Sequence, residues 1–412
     1  MSCESPISTR PKRSWATRPA LGSTKAWRRQ STGIAGESAV IRLAQPQFGS
    51  EEAVGIAAVL ASGRLCQGKQ VEQFEQAVAD YLGVRNTIAV SSGTAALHLA
   101  LLCLHIGPGD AVVVPAATFP ATANVVVHVG ARPLLADISL DDYNIEPALL
   151  ESCLETALKD GHRVKAIIVV HQFGQAARMD QVMRLANARG IPVIEDAACA
   201  LGAGCLDGKC GTLGKVACFS FHPRKNITTG EGGMLATNDL AVAERARVLR
   251  AHGLQGPGQT LVYPGLNYRM TEMQAVLGIS QMTKLDAFNS HRVGLARAYD
   301  ERLLASPAVR VPRKREDATH IYQSYVVLLD ERIERELIIS HLREQGIETV
   351  RGTYAVHLLD YYRDRYRYTD TAFPIAATVS MRSLALPIHS GLSSDDVSRV
   401  TSALLDAAGE MA

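Results

Sequence analysis

Short apolar segments alternate with amphipathic segments between about residue 87 and residue 237 of the chain. Each apolar segment is four to six residues long and almost continuously hydrophobic. Such segments are typical of strands that are buried on both faces. We predict seven of these strands, at residues 87–90, 111–114, 133–137, 166–170, 192–195, 216–221 and 233–237.

Helical periodicity fills most of the intervals between these strands. Strands that alternate with helices predict a mainly parallel sheet covered on both faces, so the expected fold class is α/β. Three further helical patterns flank this region, two before the first strand and a long one after the last. The predicted helices lie at residues 51–62, 71–82, 94–104, 121–129, 147–158, 179–189 and 271–304.

The C-terminal part of the chain contains a second, smaller α/β pattern. A strand is predicted at residues 322–329, with helices at 332–345 and 393–408. We therefore divide the folded chain into a large domain at residues 39–290 and a small C-terminal domain at residues 291–412.

The first 38 residues differ in composition from the rest. They carry seven Lys or Arg residues, only two acids and many Ser and Thr residues. This composition resembles an organelle transit peptide, but it contains no apolar segment of the signal-peptide type. We predict a disordered basic extension.

Composition excludes several classes of function. The 412 residues are 47% hydrophobic with a net charge of +2, so the molecule has no strong field to attract nucleic acid. No apolar run is long enough to span a bilayer. The eight cysteines are scattered without a C-x-x-C pair, which fits free thiols in a reducing cytoplasm and no metal site. Nucleic-acid or membrane binding could only involve the basic extension.

Polar residues follow several of the predicted strands, where parallel sheets bind their ligands. Ser92, Gly93, Thr94 and Ala95 open a helix directly after the first strand. The free backbone amides and the helix dipole there suit a phosphate, although an ordinary Ser/Thr cap would explain the same residues. Phe119 follows the second strand and could stack on a flat ring or pack in the core.

A carboxylate and a lysine follow two later strands. Asp196 ends an apolar strand and needs a partner if it is buried; a protonated pyridine nitrogen would be one, and a helix cap or salt bridge another. Lys225 comes after Pro223, which cannot donate to a strand ladder. Such a lysine is either solvated or held in a partly desolvated pocket, where it can form a Schiff base. The helix start, aromatic ring, carboxylate and lysine together are what pyridoxal 5'-phosphate requires.

Five motifs follow one another along the chain. They are Ser-Gly-Thr-Ala-Ala-Leu-His (92–98), Glu-Asp-Ala-Ala (195–198), Phe-Ser-Phe-His-Pro-Arg-Lys (219–225), Thr-Thr-Gly-Glu-Gly-Gly (228–233) and Gly-Leu-Asn-Tyr-Arg-Met (265–270). With these motifs the chain resembles, from about residue 41 to the C-terminus, the DegT/DnrJ/EryC1/StrS family of sugar aminotransferases. The resemblance implies a fold-type I transferase that binds pyridoxal 5'-phosphate, usually as a homodimer with active sites at the subunit interface.

The resemblance also implies a role for each matching residue. Lys225 would be the Schiff-base lysine and the general acid and base, Asp196 would pair with the pyridine nitrogen, and Phe119 would lie against the ring. The phosphate would be held at the Gly93 turn by Thr94, the Ala95 amide and Ser220, with Asn267 reaching the cofactor of the partner subunit. Relatives most often carry Gln or His at position 199 to contact the phenolic oxygen; Cys199 is a weaker donor.

The implied reaction moves an amino group from glutamate, or glutamine, to a keto-sugar. The expected acceptor is a nucleotide-diphosphate 4-keto-6-deoxyhexose; a 3-keto sugar or a keto-cyclitol of antibiotic biosynthesis is an alternative. Relatives with histidine in place of the lysine catalyse dehydration, so Lys225 favours transamination. A regulatory protein that binds the cofactor without turnover stays open, although Lys225 and Asp196 argue against it. Candidate substrate contacts are Arg64, Lys69, His222, Arg224, Tyr354, His357 and His389.

Overall fold

All seven predicted strands form and join in one sheet of a computed structural model that describes residues 40–411. The predicted basic extension lies outside the described residues. The strands are β1 Asn86–Val90, β2 Asp110–Pro115, β3 Ala117–Thr118, β4 Arg132–Ala136, β5 Arg163–Val170, β6 Val193–Asp196, β7 Gly204–Cys205, β8 Gly208–Lys209, β9 Val216–Ser220, β10 Gly233–Thr237, β11 Leu254–Gln255, β12 Thr260–Leu261, β13 Val309–Arg310, β14 Tyr325–Leu329, β15 Val350–Arg351, β16 Tyr354–Ala355 and β17 Ser383–Leu386.

The predicted helices also form, within a few residues of the expected bounds. Three further helices, α7, α10 and α11, were not predicted; the apolar stripe of α7 consists partly of alanines, which give a weak periodic pattern. The helices are α1 Ser50–Ser62, α2 Lys69–Leu82, α3 Gly93–Cys103, α4 Ala121–His128, α5 Pro147–Lys159, α6 Met179–Ala188, α7 Leu240–Arg250, α8 Glu272–Leu303, α9 Arg335–Glu344, α10 Asp360–Tyr366, α11 Pro374–Arg382 and α12 Ser394–Met411.

The central sheet has the strand order β1-β10-β9-β6-β5-β2-β4. All neighbouring pairs from β9 to β4 are parallel, whereas β10 runs antiparallel between β1 and β9. Gly233 at the start of β10 pairs with Val90 on one side and with Ser220 on the other. The ends of β1 and β9 are thereby brought to the same edge of the sheet.

Alternate side chains of the central strands pack against helices on opposite faces. Val112 and Val114 of β2 pack into the cluster that contains residues of α3, α4 and α7, whereas Val113 packs with α5 and α6. Burial on both faces explains why these strands are continuously apolar, as the sequence pattern predicted. The polar residues are left to the strand ends, which is where the candidate site lies.

A second sheet of four strands, in the order β13-β14-β17-β15, packs against α8, α9 and α12. Helix α8 is continuous over 32 residues, and the predicted domain boundary between residues 290 and 291 falls inside it. The division into a large and a small domain stays a prediction. None of the helices between residues 40 and 411 combines the length and hydropathy needed to cross a bilayer.

The start of α8 supports the start of α2. The buried Glu272 carboxylate accepts the backbone N–H groups of Gly68, Gln70 and Val71 at 2.8, 3.0 and 3.1 Å. The first amides of a helix have no partners within the helix, so a distant carboxylate replaces the local cap here. This contact joins residues about 200 positions apart and has no signature in the local sequence.

Candidate active site

Lys225 lies in a tight turn after β9. Its backbone N–H donates to the carbonyl of His222 at 2.8 Å, and the loop folds back so that Thr228 and Thr229 both donate to the carbonyl of Phe221. The side chain is half-buried, and its Nζ donates to the Sγ of Cys199 at 3.1 Å. The turn therefore holds the amine next to the segment that follows β6.

Asp196 is the last residue of β6, and only 6% of it is exposed. Its Oδ2 accepts the Thr122 hydroxyl at 2.8 Å, and its Oδ1 accepts the Ala198 N–H at 3.2 Å. Burial raises the pKa of Asp196, while these two hydrogen bonds and the charge of Lys225 oppose the rise. Asp196 and Lys225 thus meet at one edge of the sheet, as the sequence predicted.

A second buried pair supports β6 next to Asp196. Glu195 accepts the N–H groups of Gly211, Leu213 and Gly214 at 2.6–2.8 Å and lies 2.9 Å from the Nε2 of His171. The Nδ1 of His171 accepts the Ala177 N–H at 3.1 Å, so the ring proton is on Nε2, towards Glu195. The backbone N–H of His171 donates to the carbonyl of Asp196 at 3.1 Å. This pair fixes the backbone on which the Asp196 side chain stands.

The start of α3 forms the predicted phosphate position. Ser92 is the N-cap and its hydroxyl accepts the Ala95 N–H at 3.1 Å, so the Ala95 amide is already engaged. The amides of Gly93 and Thr94, in the first turn, have no partner within the helix. A Cβ on Gly93 would lie 2.8 Å from the Cβ of Ser220, which explains why glycine is required where α3 meets β9. Thr94 is exposed beside this junction.

Asn267 lies in a loop that is attached to the same region. The carbonyl of Tyr268 accepts the Ser91 N–H at 2.9 Å, and the Tyr268 hydroxyl lies 2.9 Å from the Nδ1 of His98. Asn267 itself is exposed, and its Oδ1 accepts the Nε–H of Arg269 at 3.1 Å. The loop therefore presents Asn267 to solvent next to the start of α3.

Phe119 stands at the exit of β3 with 66% of its surface exposed. Strand β16 pairs with β3, which places the Tyr354 ring edge-on to Phe119 at 6.2 Å between centroids. The guanidinium of Arg351 lies 5.2 Å from the centroid of the Tyr354 ring. The described residues thus leave the large apolar ring of Phe119 exposed, next to Tyr354, which the sequence predicted as a substrate contact.

The other candidate substrate contacts differ in how far their side chains are buried. His222 is half-buried in the Lys225 turn, where its Nδ1 accepts the Arg224 N–H at 3.2 Å and burial lowers its pKa. Arg224 is exposed in the same turn. Arg64 and Lys69 are exposed at the end of α1 and the start of α2.

Two of the predicted substrate contacts are buried. His357 is 0% exposed, packs edge-on to Phe373 and lies 3.4 Å from the carbonyl of Asp370. His389 is 4% exposed; its Nδ1 accepts the Gly391 N–H, and burial lowers its pKa to about 4. The described residues cover both side chains, so neither His357 nor His389 is exposed to a substrate that enters from solvent.

Sequence reasoning missed the threonines that support Asp196. Thr118 and Thr122 are each 1% exposed, and their hydroxyl oxygens lie 3.0 Å apart. Two threonines four residues apart, on either side of Pro120 at a strand exit, were the available signal. A buried hydroxyl requires a partner, but the sequence does not show that the partner is Asp196.

These residues fit pyridoxal 5'-phosphate. Asp196 is a buried carboxylate with donors on both oxygens and suits a protonated ring nitrogen; Lys225 is a half-buried amine beside it. The α3 start offers amides to a phosphate, and the exposed face of Phe119 offers an apolar surface to a ring. Among residues 40–411, no group of three or more metal-ligating side chains is arranged to hold an ion.

Comparisons with known proteins agree with this chemistry. The DegT/DnrJ/EryC1/StrS aminotransferase family matches residues 46–405. The chain is 39% identical over 342 residues to GDP-perosamine synthase of Caulobacter vibrioides, covering 82% of this chain and 90% of that protein. It is 34% identical to DesV of S. venezuelae, with a TM-score of 0.81 and coverage of 87% and 94%.

A third similar protein is Spr1654 from Streptococcus pneumoniae, whose structure was solved in a PLP-form. The two chains are 26% identical with a TM-score of 0.84, covering 90% of this chain and 100% of that one. The motifs, the fold and the family match lead to one assignment. The chain belongs to the DegT/DnrJ/EryC1/StrS aminotransferase family and is a PLP-dependent transaminase, like the sugar aminotransferases that it matches.

Proposed function

We propose that this protein transfers the amino group of glutamate, or glutamine, to a nucleotide-diphosphate 4-keto-6-deoxyhexose. The observation that carries the proposal is the placement of Lys225 and Asp196 at one sheet edge, beside the helix start at Gly93 and Thr94. A transaminase needs these groups in one place.

The bound cofactor supplies an electron-accepting ring that stabilises negative charge developing on the substrate carbon. With the cofactor bound, Asp196 would hold the proton on the ring nitrogen. The Nζ of Lys225 would take the proton from the α-carbon of the amino acid and give it to the cofactor, and in the second half-reaction it would carry a proton in the opposite direction, to the sugar carbon. Cys199 accepts a hydrogen bond from the Lys225 amine and would hold that amine while it is not bonded to the cofactor.

A nucleotide sugar as acceptor is supported by one relative, whose name specifies a GDP-linked product. The exposed Arg224 and Arg351, the half-buried Tyr354 and the neighbouring His222 provide cationic and aromatic groups for such a substrate. His357 and His389 are buried, so we do not include them among the proposed substrate contacts. A 3-keto sugar or a keto-cyclitol would present the same carbonyl to Lys225, so the acceptors must be compared directly.

We further propose a homodimer in the cytoplasm. The exposure of Asn267 and of Phe119 at the site edge supports coverage by a second subunit, with Asn267 reaching the partner's cofactor. The described cysteines are all free, which supports a reducing compartment.

The test is an absorbance titration of the purified protein with pyridoxal 5'-phosphate and then glutamate. We expect a visible band that converts to the near-ultraviolet band of the pyridoxamine form, with release of 2-oxoglutarate. Lys225→Ala should lose the visible band, whereas Lys159→Ala, an exposed lysine on α5, should retain it.

The acceptor is then identified by incubating the pyridoxamine form with each keto compound and recording the mass of the aminated product. Amination of the 4-keto-6-deoxyhexose at the highest rate would support the proposed acceptor, and a faster 3-keto sugar or keto-cyclitol would replace it. A visible band that persists with glutamate and with glutamine would contradict the proposed donors and favour a regulatory protein.

A further inference from the structure

Two buried threonine hydroxyls form a hydrogen-bonded chain that ends at the Asp196 carboxylate. The Thr122 hydroxyl donates to Oδ2 of Asp196 at 2.8 Å, and the Thr118 oxygen lies 3.0 Å from the Thr122 oxygen. Thr118 and Thr122 are each 1% exposed, so water does not replace these contacts. The Ala198 N–H occupies the other carboxylate oxygen at 3.2 Å.

The chemistry of these groups fixes the direction of the hydrogen bonds. An ionised carboxylate only accepts, so Thr122 must give its single hydroxyl proton to Asp196. The Thr122 oxygen can then only accept from Thr118, which donates. The result is a chain of two hydroxyls whose dipoles both point towards the negative charge, an arrangement in which each hydrogen bond strengthens the next.

The backbone holds this chain in place from two sides. Thr118 is in β3, paired with Tyr354 of β16, and Thr122 is in the first turn of α4. The Thr122 N–H donates to the carbonyl of Phe119 at 3.2 Å. The strand-to-helix turn that exposes the Phe119 ring therefore also directs the Thr122 hydroxyl inwards to Asp196.

We propose that Thr122, supported by Thr118, is a positioning residue that keeps Asp196 ionised and aimed at the ring nitrogen of pyridoxal 5'-phosphate. The proposal deepens, and rests on, the role of Asp196 proposed above. Burial by itself raises the pKa of Asp196, and the Thr122 hydroxyl is the largest influence that opposes this rise. A carboxylate that loses this donor would bind the protonated nitrogen less tightly.

The test compares two ligands that differ only at the atom in question. Dissociation constants are measured for pyridoxal 5'-phosphate and for its 1-deaza analogue, in which carbon replaces the ring nitrogen. The wild-type protein should prefer the natural cofactor, because Asp196 has a partner only there. Thr122→Val keeps the shape of the side chain and removes the hydroxyl; it should reduce the preference about tenfold, the effect of one charge-assisted hydrogen bond.

Further variants separate positioning from folding. Thr122→Ser retains the hydroxyl and should restore the wild-type preference, and Thr118→Val should reduce the preference by less than Thr122→Val does. Thr87→Val is the matched control: it removes another buried hydroxyl, which donates to the carbonyl of Glu75 at 2.6 Å, and should leave the preference unchanged.

Each outcome is decisive. A Thr122→Val protein that binds both ligands more weakly by the same factor would show a merely structural threonine and overturn the proposal. An unchanged preference would overturn it as well. If Thr122→Val does not fold, the Thr118→Val result decides between the same alternatives. A wild-type protein without any preference would contradict the role of Asp196 itself, whatever acceptor the enzyme uses.

Discussion

The Nζ of Lys225 lies 3.1 Å from the Sγ of Cys199 and donates a hydrogen bond to it. The contact joins the turn after β9 to the segment after β6. It places a weak donor and acceptor where the resemblance leads one to expect an amide or an imidazole.

Replacing Cys199 should therefore have a small effect. A thiol contact contributes less than an ordinary neutral hydrogen bond of about 1 kcal/mol, so Cys199→Ala should change the rate of the glutamate half-reaction by less than about tenfold. Stopped-flow absorbance measures this rate. Complete loss of the visible band in Cys199→Ala, as in Lys225→Ala, would contradict a supporting role for the thiol.

Asp196→Asn tests the carboxylate. The amide has nearly the same size but carries no charge to hold a proton on the ring nitrogen. We expect a loss on the order of 100-fold or more in the rate of the half-reaction, because an electrostatic contact at the reacting group is removed. Asp110→Asn is the control. Asp110 is a buried carboxylate at the start of β2, at the end of the strand away from the site, and it pairs with Arg163. Its replacement should leave the rate of the half-reaction unchanged. Equal rates for wild type and Asp196→Asn would refute the assignment.

Phe119→Ala should weaken the binding of pyridoxal 5'-phosphate without changing the stability of the fold. Because the ring is 66% exposed, its removal should change the free energy of unfolding by no more than about 0.5 kcal/mol. Loss of ring stacking, about 0.5–1.5 kcal/mol, should raise the dissociation constant of pyridoxal 5'-phosphate about two- to tenfold. Leu158→Ala, at a residue 78% exposed on α5, should change neither quantity. A large drop in stability with unchanged cofactor affinity would assign Phe119 to the protein core.

Glu52 should make stability dependent on pH. Burial by itself would raise the pKa of this carboxyl, but hydrogen bonds from Lys284, the Gly49 N–H, Gln281 and Ser280 lower it from 4.5 to about 2. A lowered folded-state pKa stabilises the protein above pH 4.5, and this contribution is lost as the pH falls towards 2. This contribution should not exceed about 3 kcal/mol in the free energy of unfolding, the value that corresponds to the full shift.

Urea unfolding of wild type and Glu52→Gln at pH 6 and pH 3 measures this contribution. The difference between the two proteins should shrink at pH 3, because Glu52 is protonated in the unfolded chain at that pH but ionised in the folded protein, so folding must remove a proton. Glu51→Gln is the matched control: Glu51 also contacts Lys284, but its side chain is half exposed, so its effect should be small at both pH values. A pH-independent difference for Glu52→Gln would contradict the lowered pKa.

Much of the fold could be read from local patterns. The seven central strands are continuously apolar because helices cover both faces of the sheet, and that pattern survives in the sequence. The order of the motifs also placed Gly93, Asp196 and Lys225 at strand exits, where parallel strands place their ligands. Helix α7 was missed because its alanine-rich stripe differs little in hydropathy from its surroundings.

The partners of the site residues could not be predicted in this way. Thr122 on α4 reaches Asp196 across 74 residues, and the pairing of β3 with β16 brings Tyr354 to Phe119 across more than 200. Neither contact leaves a periodic pattern in the sequence. The burial of His357 and His389 likewise results from packing between distant elements.

The sequence alone determined the seven strands of the central sheet, most helices and the identity of the chemical groups, because local hydrophobic periodicity and residue type follow directly from the order of residues. The tertiary structure decided which groups meet. The antiparallel insertion of β10 between β1 and β9 brings Gly93 against Ser220, and the pairing of β3 with β16 sets the surroundings of Phe119. These contacts depend on the register of strands that are far apart in sequence, and no local pattern encodes that register.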